Sequence, residues 1–288
     1  MKNSVKLQKN GSDVYPVVRV EDIIGLNSET AITQKDLDEL KKYFLTALKN
    51  YQMKSPEDIL KVLKSGGDVV LVDNLESGSG FTLTKSANID FDGNELVSVD
   101  GVTYGDTFVM GNGADITLSN GTLNKSQNNA TLENASATIH FKTTTVSHLT
   151  LNNMTVTGVY PIYINNSGVG STVTINSGVY HSEFENNPVV FCNKYGTKVT
   201  INGGTFGQKG VHGGYILNIL DSLRYPNTSH EPREFIEVFG GEFWNFNPMN
   251  NKSEGAGTNY VADGYTVVEE VDGDDILYKV VKKEENKE

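Results

Sequence analysis

Cleavage of a glycosidic bond needs two carboxyl groups held about 5 to 9.5 Å apart. The acidic pairs of this chain are therefore the first residues to weigh. Asp90 and Asp92 are spaced to share one face of an extended strand, and Glu183 and Glu185 repeat that spacing in "HSEFEN". The second pair reads as a solvated corner. Histidines stand at His140, His148, His181 and His212, scattered rather than at the short spacing of a metal set. The single cysteine, Cys192, lies in the apolar run "VVFCN", which suits a buried thiol better than a nucleophile. One cysteine also excludes an internal disulfide and any multi-thiolate metal site. Two further places carry residues suited to binding. The insertion "DSLRYPNTSHEPREF" holds Arg224, Tyr225, His230, Glu231 and Arg233, and "EFWNFNP" holds the only tryptophan, Trp244. Exposed loops on rigid scaffolds are where binding residues gather. An aromatic ring such as Trp244 can stack on a sugar, or, with Phe243 and Phe246, cover the end of a core.

Whether any of these residues meet depends on the elements that carry them. An eight-residue pattern recurs as "IDFDGNEL" from Ile89, "ITLSNGTL" from Ile116, "LTLNNMTV" from Leu149, "VTINSGVY" from Val173, "VTINGGTF" from Val199 and "IEVFGGEF" from Ile236. The starts are 27, 33, 24, 26 and 37 residues apart. Alternation of apolar and polar residues makes each copy a strand with one buried face. The Asn/Gly pair that follows tolerates positive φ and bends the chain. The next apolar residue (Leu96, Leu123, Val156, Tyr180, Phe206 or Phe243) then points inward again. A second short apolar strand precedes each copy: "FTL", "FVM", "IHF", "IYI", "VVF" and "ILNIL". So small a unit buries its apolar side only by stacking on its neighbours. The expected fold is mostly β: a right-handed parallel β-helix, or solenoid, with a small N-terminal strand-plus-helix module.

Aligned on this pattern, Asp90 and Asp92 correspond to Thr117 and Ser119, then Thr150 and Asn152, Thr174 and Asn176, and Thr200 and Asn202. No ladder of carboxylates forms. The expectation is no catalytic residue, no metal and no cofactor.

Residues 55–258 should form the β-helix, capped by a helix at 55–64 in "SPEDILKVLKSGG", with Ser55 as its cap and Pro56 in its first turn. Residues 259–288 should supply a hairpin turning at Asp272-Gly273, followed by a charged tail. Residues 1–54 stand outside the repeat: a short two-strand segment around Asn10-Gly11, then a helix over 33–51 begun by Thr33. Leu37, Leu40, Phe44, Ala47 and Tyr51 fall at a/d spacing on it. That is enough to help chains associate, or to lie against the chain's own β-helix.

From about Ser55 to Val281 the chain resembles the pectin-lyase-like right-handed β-helix superfamily, whose members span lyases, hydrolases, tailspikes and inert fibres. The NTD, DD and GHG motifs associated with polygalacturonases are absent, and Asp274-Asp275 fall in the terminal hairpin. The stretch "LQKNGSDVYPVVRVEDIIG" resembles the start of virion proteins of crAss-like phages of gut Bacteroidales, with "LQKNG.DVYPV" as its core. That resemblance implies an attachment module, with Leu7, Val14, Tyr15, Pro16 and Val17 as its contacts. It also implies a structural head fibre, homotrimeric, bound to capsid or another virion protein and reaching toward host-surface polysaccharide. Capsid and tail remain alternative attachment points. The alternative role is a tail fibre or tailspike receptor-binding protein with polysaccharide-depolymerase activity, its carboxylate pair shared between subunits.

Composition agrees with these limits. A net charge of -12 repels phosphate backbones, so nucleic acid is not an expected partner. No run approaches the roughly 18 apolar residues of a membrane span. The start lacks the apolar core of a secretory signal. The expected location is the virion, after synthesis in a host cytoplasm.

Overall fold

The computed structural model describes residues 6–10, 13–17 and 67–284, apart from 72, 79, 100–104, 112, 127–136, 166, 222 and 224–229. The helices expected at 33–51 and 55–64 lie outside the described residues. The chain divides into two units, Met1–Met53 and Lys54–Glu288.

In the first unit, β1 (Lys6–Asn10) pairs antiparallel with β2 (Asp13–Val17), Leu7 opposite Pro16 and Asn10 opposite Asp13. Proline donates no N–H, which a two-stranded sheet accommodates because both of its strands are edges.

The second unit is mostly β, with parallel sheets, and the chain makes it in successive passes. A first pass gives β3 (Gly67–Val70) and β4 (Leu75–Ser77). The next gives β5 (Phe81–Leu83), β6 (Ala87–Asp90) and β7 (Glu95–Val99). Then β8 (Phe108–Met110) leads into β9 (Asp115–Ser126), and β10 (Ala137–Phe141) into β11 (His148–Gly158). Three more passes follow: β12 (Tyr160–Ile164), β13 (Thr172–Ile175) and β14 (Gly178–Ser182); β15 (Val190–Cys192), β16 (Lys198–Ile201) and β17 (Thr205–Phe206); β18 (Leu217–Ile219), β19 (Ile236–Val238) and β20 (Gly241–Trp244). A hairpin of β21 (Tyr265–Asp272) and β22 (Asp275–Lys282) ends the unit, its tight turn at Gly273-Asp274, with Gly273 at φ 69.

The leading strands form a six-stranded parallel sheet in the order β5-β8-β10-β12-β15-β18. The copies of the repeat form two parallel ladders joined through β9 and β11, each of which runs unbroken through the bend. Residues in register stack like on like. Leu96, Leu123, Val156, Tyr180, Phe206 and Phe243 make one buried column along the second ladder. Within it the Tyr180, Phe206 and Phe243 rings stack at 5.1 and 4.8 Å. Burial of each such side chain contributes about 2–3 kcal/mol.

The bends explain the Asn/Gly signature. Asn120 and Asn153 adopt φ 59 and 52 in the earlier passes, a conformation their short amides tolerate. Later passes place Gly178, Gly204 and Gly241 one residue further along. A Cβ on Gly178 would lie 2.0 Å from the Met154 carbonyl oxygen, so no other residue fits there. Outside the bend, asparagine amides hydrogen-bond along the stack: Asn202 donates to Asn176 and Asn176 to Asn152, both at 2.8 Å.

One alignment from the sequence is corrected. Ile89 pairs with Leu118, not Ile116, and Asp90 stands level with Ser119. Past the bend the expected match returns, with Leu96 beside Leu123. The first copy therefore carries two extra residues in its bend, and Asp92, at φ 47, occupies that excursion rather than a strand position.

The last strand edges are covered in three ways. β22 pairs antiparallel with β20. The loop over 247–262 covers β19, where Val238 N–H donates to Tyr260 O and Ala262 N–H to Val238 O. The same loop covers β18 through Glu254, whose Oε1 accepts from Ile219 N–H at 2.7 Å. Open strand edges invite further pairing, and these contacts block it.

Candidate functional site

Among the described members of the insertion, His230, Arg233 and Glu234 have internal partners. A short helix α1 (Pro232–Phe235) ends the insertion, with Glu231 at its N-cap. The His230 ring stacks on Tyr195 at 3.9 Å between centroids, and its Nδ1 is 2.8 Å from Glu234 Oε2. Arg233 donates to Asp263 Oδ1 at 2.6 Å, and its carbonyl accepts from Lys198 Nζ. This segment is thus tied down by its own chemistry. Arg224 and Tyr225 lie outside the described residues.

The histidines stay apart. His140 Nδ1 is 2.9 Å from Asp106 Oδ2, His148 Nδ1 is 2.8 Å from Thr172 Oγ1, and His212 Nε2 is 3.2 Å from Asp275 Oδ1. Among the described residues, no three His, Cys, Asp or Glu side chains gather as a metal site. Burial works to raise the Asp106 carboxyl, but His140, the Ala137 N–H and Lys142 outweigh it and hold it below the usual range. Cys192 is buried and its thiol is pushed up to about 12 by that burial, so it does not ionise near neutrality.

Two outward-facing rows carry aromatic rings. On the six-stranded sheet, His140, Tyr163 and Phe191 stand in register on neighbouring strands. Their rings stack at 4.8 and 5.3 Å, the second pair within 4° of parallel, and Tyr160 leans on both Tyr163 and Phe191. These rings give their faces to one another, and His140 is buried.

The other row follows the second ladder: Asn124, Thr157, His181, Gly207 and Trp244. Here a glycine stands between the two rings, and a narrow cleft opens beside it. Its walls come from three passes and two connecting loops: His181 and Ser182, then Phe184 and Glu185, then Gly207 and Gln208, with Gly213, Gly214 and Trp244 closing the outline. Gly207 has φ 79, and a Cβ there would meet Ile216 Cδ1 at 2.6 Å. Trp244 points outward between inward-facing Phe243 and Phe246, which are buried. Lys209 Nζ lies 6.0 Å from the indole centroid, and Asp272 holds that ammonium at 2.5 Å. Burial lowers the His181 ring below its ordinary value, and His181 Nδ1 has no hydrogen-bond partner. Glu185 and Gln208 are exposed at the rim.

The floor of the cleft is fixed by a hub. Asp275 Oδ1 accepts from Gly210 N–H and from Asn245 Nδ2, both at 2.8 Å, and Asn245 Nδ2 also donates to Val211 O. Donation from Asn245 and Gly210, with His212 and Lys209 nearby, holds the Asp275 carboxyl below its usual range. The hairpin turn and the loop bordering the cleft are thereby joined. Sequence singled out Trp244 but not Gln208 or the Gly207 gap. The signal was present in the pattern, since the residue after the column apolar is histidine, glycine and tryptophan in three successive copies.

The two acidic pairs are not brought together. Asp90 Oδ1 accepts from Asp92 N–H in its own bend at 3.0 Å and from Asn120 Nδ2 of the next pass at 3.2 Å. Glu183 and Glu185 stand on the exposed corner after β14. Among the described residues no helix is long and apolar enough to cross a membrane. Comparison with known proteins finds no matching family model, no matching curated protein and no matching solved structure.

Proposed function

We propose that this chain is a non-enzymatic structural protein of a bacteriophage virion, a homotrimeric head fibre whose shaft is a right-handed parallel β-helix. The observation that carries the non-enzymatic part is the polar face of the repeat. Level after level, from Ser119 to Asn152, Asn176 and Asn202, the outward positions before the bend are neutral, and Asn176 and Asn202 each donate to the asparagine of the preceding pass. A lyase or glycosidase on such a scaffold needs carboxylates at neighbouring levels, and this face spends those positions on cohesion. Right-handedness follows from the near-universal hand of parallel crossovers between twisted strands. Residues 1–54 attach the fibre to capsid or another virion protein and help it trimerise, a role supported by the "LQKNG.DVYPV" resemblance. The shaft then meets host-surface polysaccharide.

Light scattering on the full chain and on residues 55–288 tests this reading. A trimer that survives dilution and weakens without residues 1–54 is expected. A monomer in both cases sinks the fibre. The tailspike alternative draws on one observation, Glu185 at the rim of a cleft that Trp244 also lines. It requires a second carboxylate from a neighbouring subunit, and release of reducing ends from host polysaccharide would establish it.

A further inference from the structure

We infer that the outer edge of the terminal hairpin, strand β21, is a docking site for an extended protein segment that joins it as one more antiparallel strand. The segment it fits reads apolar, any residue, Lys or Arg, any residue, apolar. This docking edge is independent of the fibre proposed above.

The hairpin covers β20 but brings an edge of its own. β21 runs eight residues, stands last in its sheet and, among the described residues, pairs only with β22. The pairs with β22 follow one another without a bulge, and β21 contains no proline, so two common devices that blunt an edge are missing. Which groups face outward follows from the other side of the hairpin. A strand residue sends its N–H and C=O to one side, and successive residues alternate. Asn245 N–H donates to Ile276 O, and Asn245 Oδ1 accepts from Ile276 N–H, both at 2.8 Å. Ile276 therefore turns toward β20, as do Tyr278 and Val280 by alternation. Their partners across the hairpin are Val271, Glu269 and Val267. The N–H and C=O groups of these three point away from β22 and form a ladder open to an incoming strand. Tyr265 ends that ladder, because its N–H is given to Ala262 O.

The side chains define what joins. Val271 is 72% exposed and Val268 50%. Val267, Glu269 and Val271 share one face, since side chains alternate along a strand. A segment laid opposite them meets an apolar, an acidic and an apolar neighbour in turn. Glu270 is paired with Lys279 and Asp272 with Lys209, both at 2.5 Å, whereas Glu269 has no ion-pair partner among the described residues. A Lys or Arg directly opposite Glu269 supplies one, and opposite charges paired across strands stabilise a sheet. Main-chain bonds to the three outward residues give affinity, and the alternation gives selectivity. A second copy fits less well. Two-fold pairing on the same three residues sets Glu269 opposite itself, between chains that each carry a net charge of -12. Moving the register two residues sets Val271 against Tyr265, whose N–H is spent, or Val267 against Gly273, beyond the strand.

The probe is a capped, dye-labelled peptide, Thr-Val-Thr-Lys-Thr-Val-Thr, titrated against the full chain by fluorescence anisotropy. The same peptide with Glu in place of Lys is titrated beside it. Expected is saturable binding of the Lys peptide, about tenfold tighter than that of the Glu peptide. Glu269→Lys should invert the preference. Val271→Pro removes one outward N–H and none of the bonds to β22, so the thermal melt should stay near that of the unaltered chain while binding falls about tenfold or more. If Val271→Pro melts early, Glu269→Lys alone decides. Absence of saturable binding, equal binding of the two peptides, or a preference unmoved by Glu269→Lys overturns the site. Full binding by a folded Val271→Pro places the peptide elsewhere on the acidic surface and overturns it too. Light scattering tests the occupant: pairing of full chains that Val271→Pro abolishes assigns the edge to a second copy and overturns the basic segment.

Discussion

The aromatic row on the six-stranded sheet and the row ending at Trp244 are built alike, from outward residues in register on adjacent parallel strands. They differ at one level. Tyr163 sits between His140 and Phe191 and joins them, whereas Gly207 sits between His181 and Trp244 and separates them. A ring whose two neighbours are rings is part of the sheet's cohesion. At Gly207 the space a side chain would take is met by Ile216 instead. What an aromatic residue does on such a scaffold is therefore set by the residue one pass away, not by its own identity.

The comparison needs a reference, and the buried column supplies the largest effect. Phe206 has stacked rings on both sides and no exposure, so Phe206→Ala should cost about 3–5 kcal/mol in urea denaturation. A loss below about 1 kcal/mol would show that the column is not the continuous core described here. Filling the gap comes next. Gly207→Ala must hold φ 79 and push Ile216 aside, at about 1–2 kcal/mol. A urea midpoint unchanged from the unaltered chain would show that Ile216 does not pack against that level.

Coupling between rings then distinguishes the rows directly. A double-mutant cycle on Tyr163 and Phe191, each to Ala, should give about 0.5–1.5 kcal/mol of interaction. The same cycle on His181 and Trp244 should give about zero, because no contact crosses Gly207. Equal couplings would erase the distinction.

The smallest effects are in pH. Asp275 has a folded pKa below its unfolded value, so its contribution is complete above about pH 4 and is lost as pH falls through the lower folded value. His181, also lowered, favours the folded state fully above about pH 6.5, and that part is lost as pH falls toward its folded value. Stability measured by urea midpoint should therefore decline in two steps on acidification. Asp275→Asn should shrink the lower step, which Asp106 shares, and His181→Gln should remove the upper. A flat profile from pH 7 to pH 3 would contradict both assignments.

Much of the scaffold was legible because stacking repeats its own code. The column from Leu96 to Phe243 and the six leading strands follow from period-two alternation and an Asn/Gly bend at each copy, and both stand in register in the structure. The slip at Asp90 was not legible, because a bend tolerates two extra residues without changing the apolar pattern on either side. The terminal hairpin was visible at Asp272-Gly273, one residue from the turn that forms. Of the candidate binding residues, His230 and Arg233 drew attention by type. Their partners Tyr195, Glu234 and Asp263 come largely from other segments, and no local pattern marks them.

By itself, then, the sequence determined the strand period, the inward column and the bend at each pass, since these depend on residues within eight positions of one another. The tertiary structure decided which residues are neighbours across passes. It placed Asp106 against His140, Asp275 under the loop at Gly210, and Gly207 between His181 and Trp244. The physical reason is that lateral contacts in stacked parallel strands join residues some 24 to 37 positions apart, where each insertion resets the count. Only the closed hydrogen-bond registers fix that count.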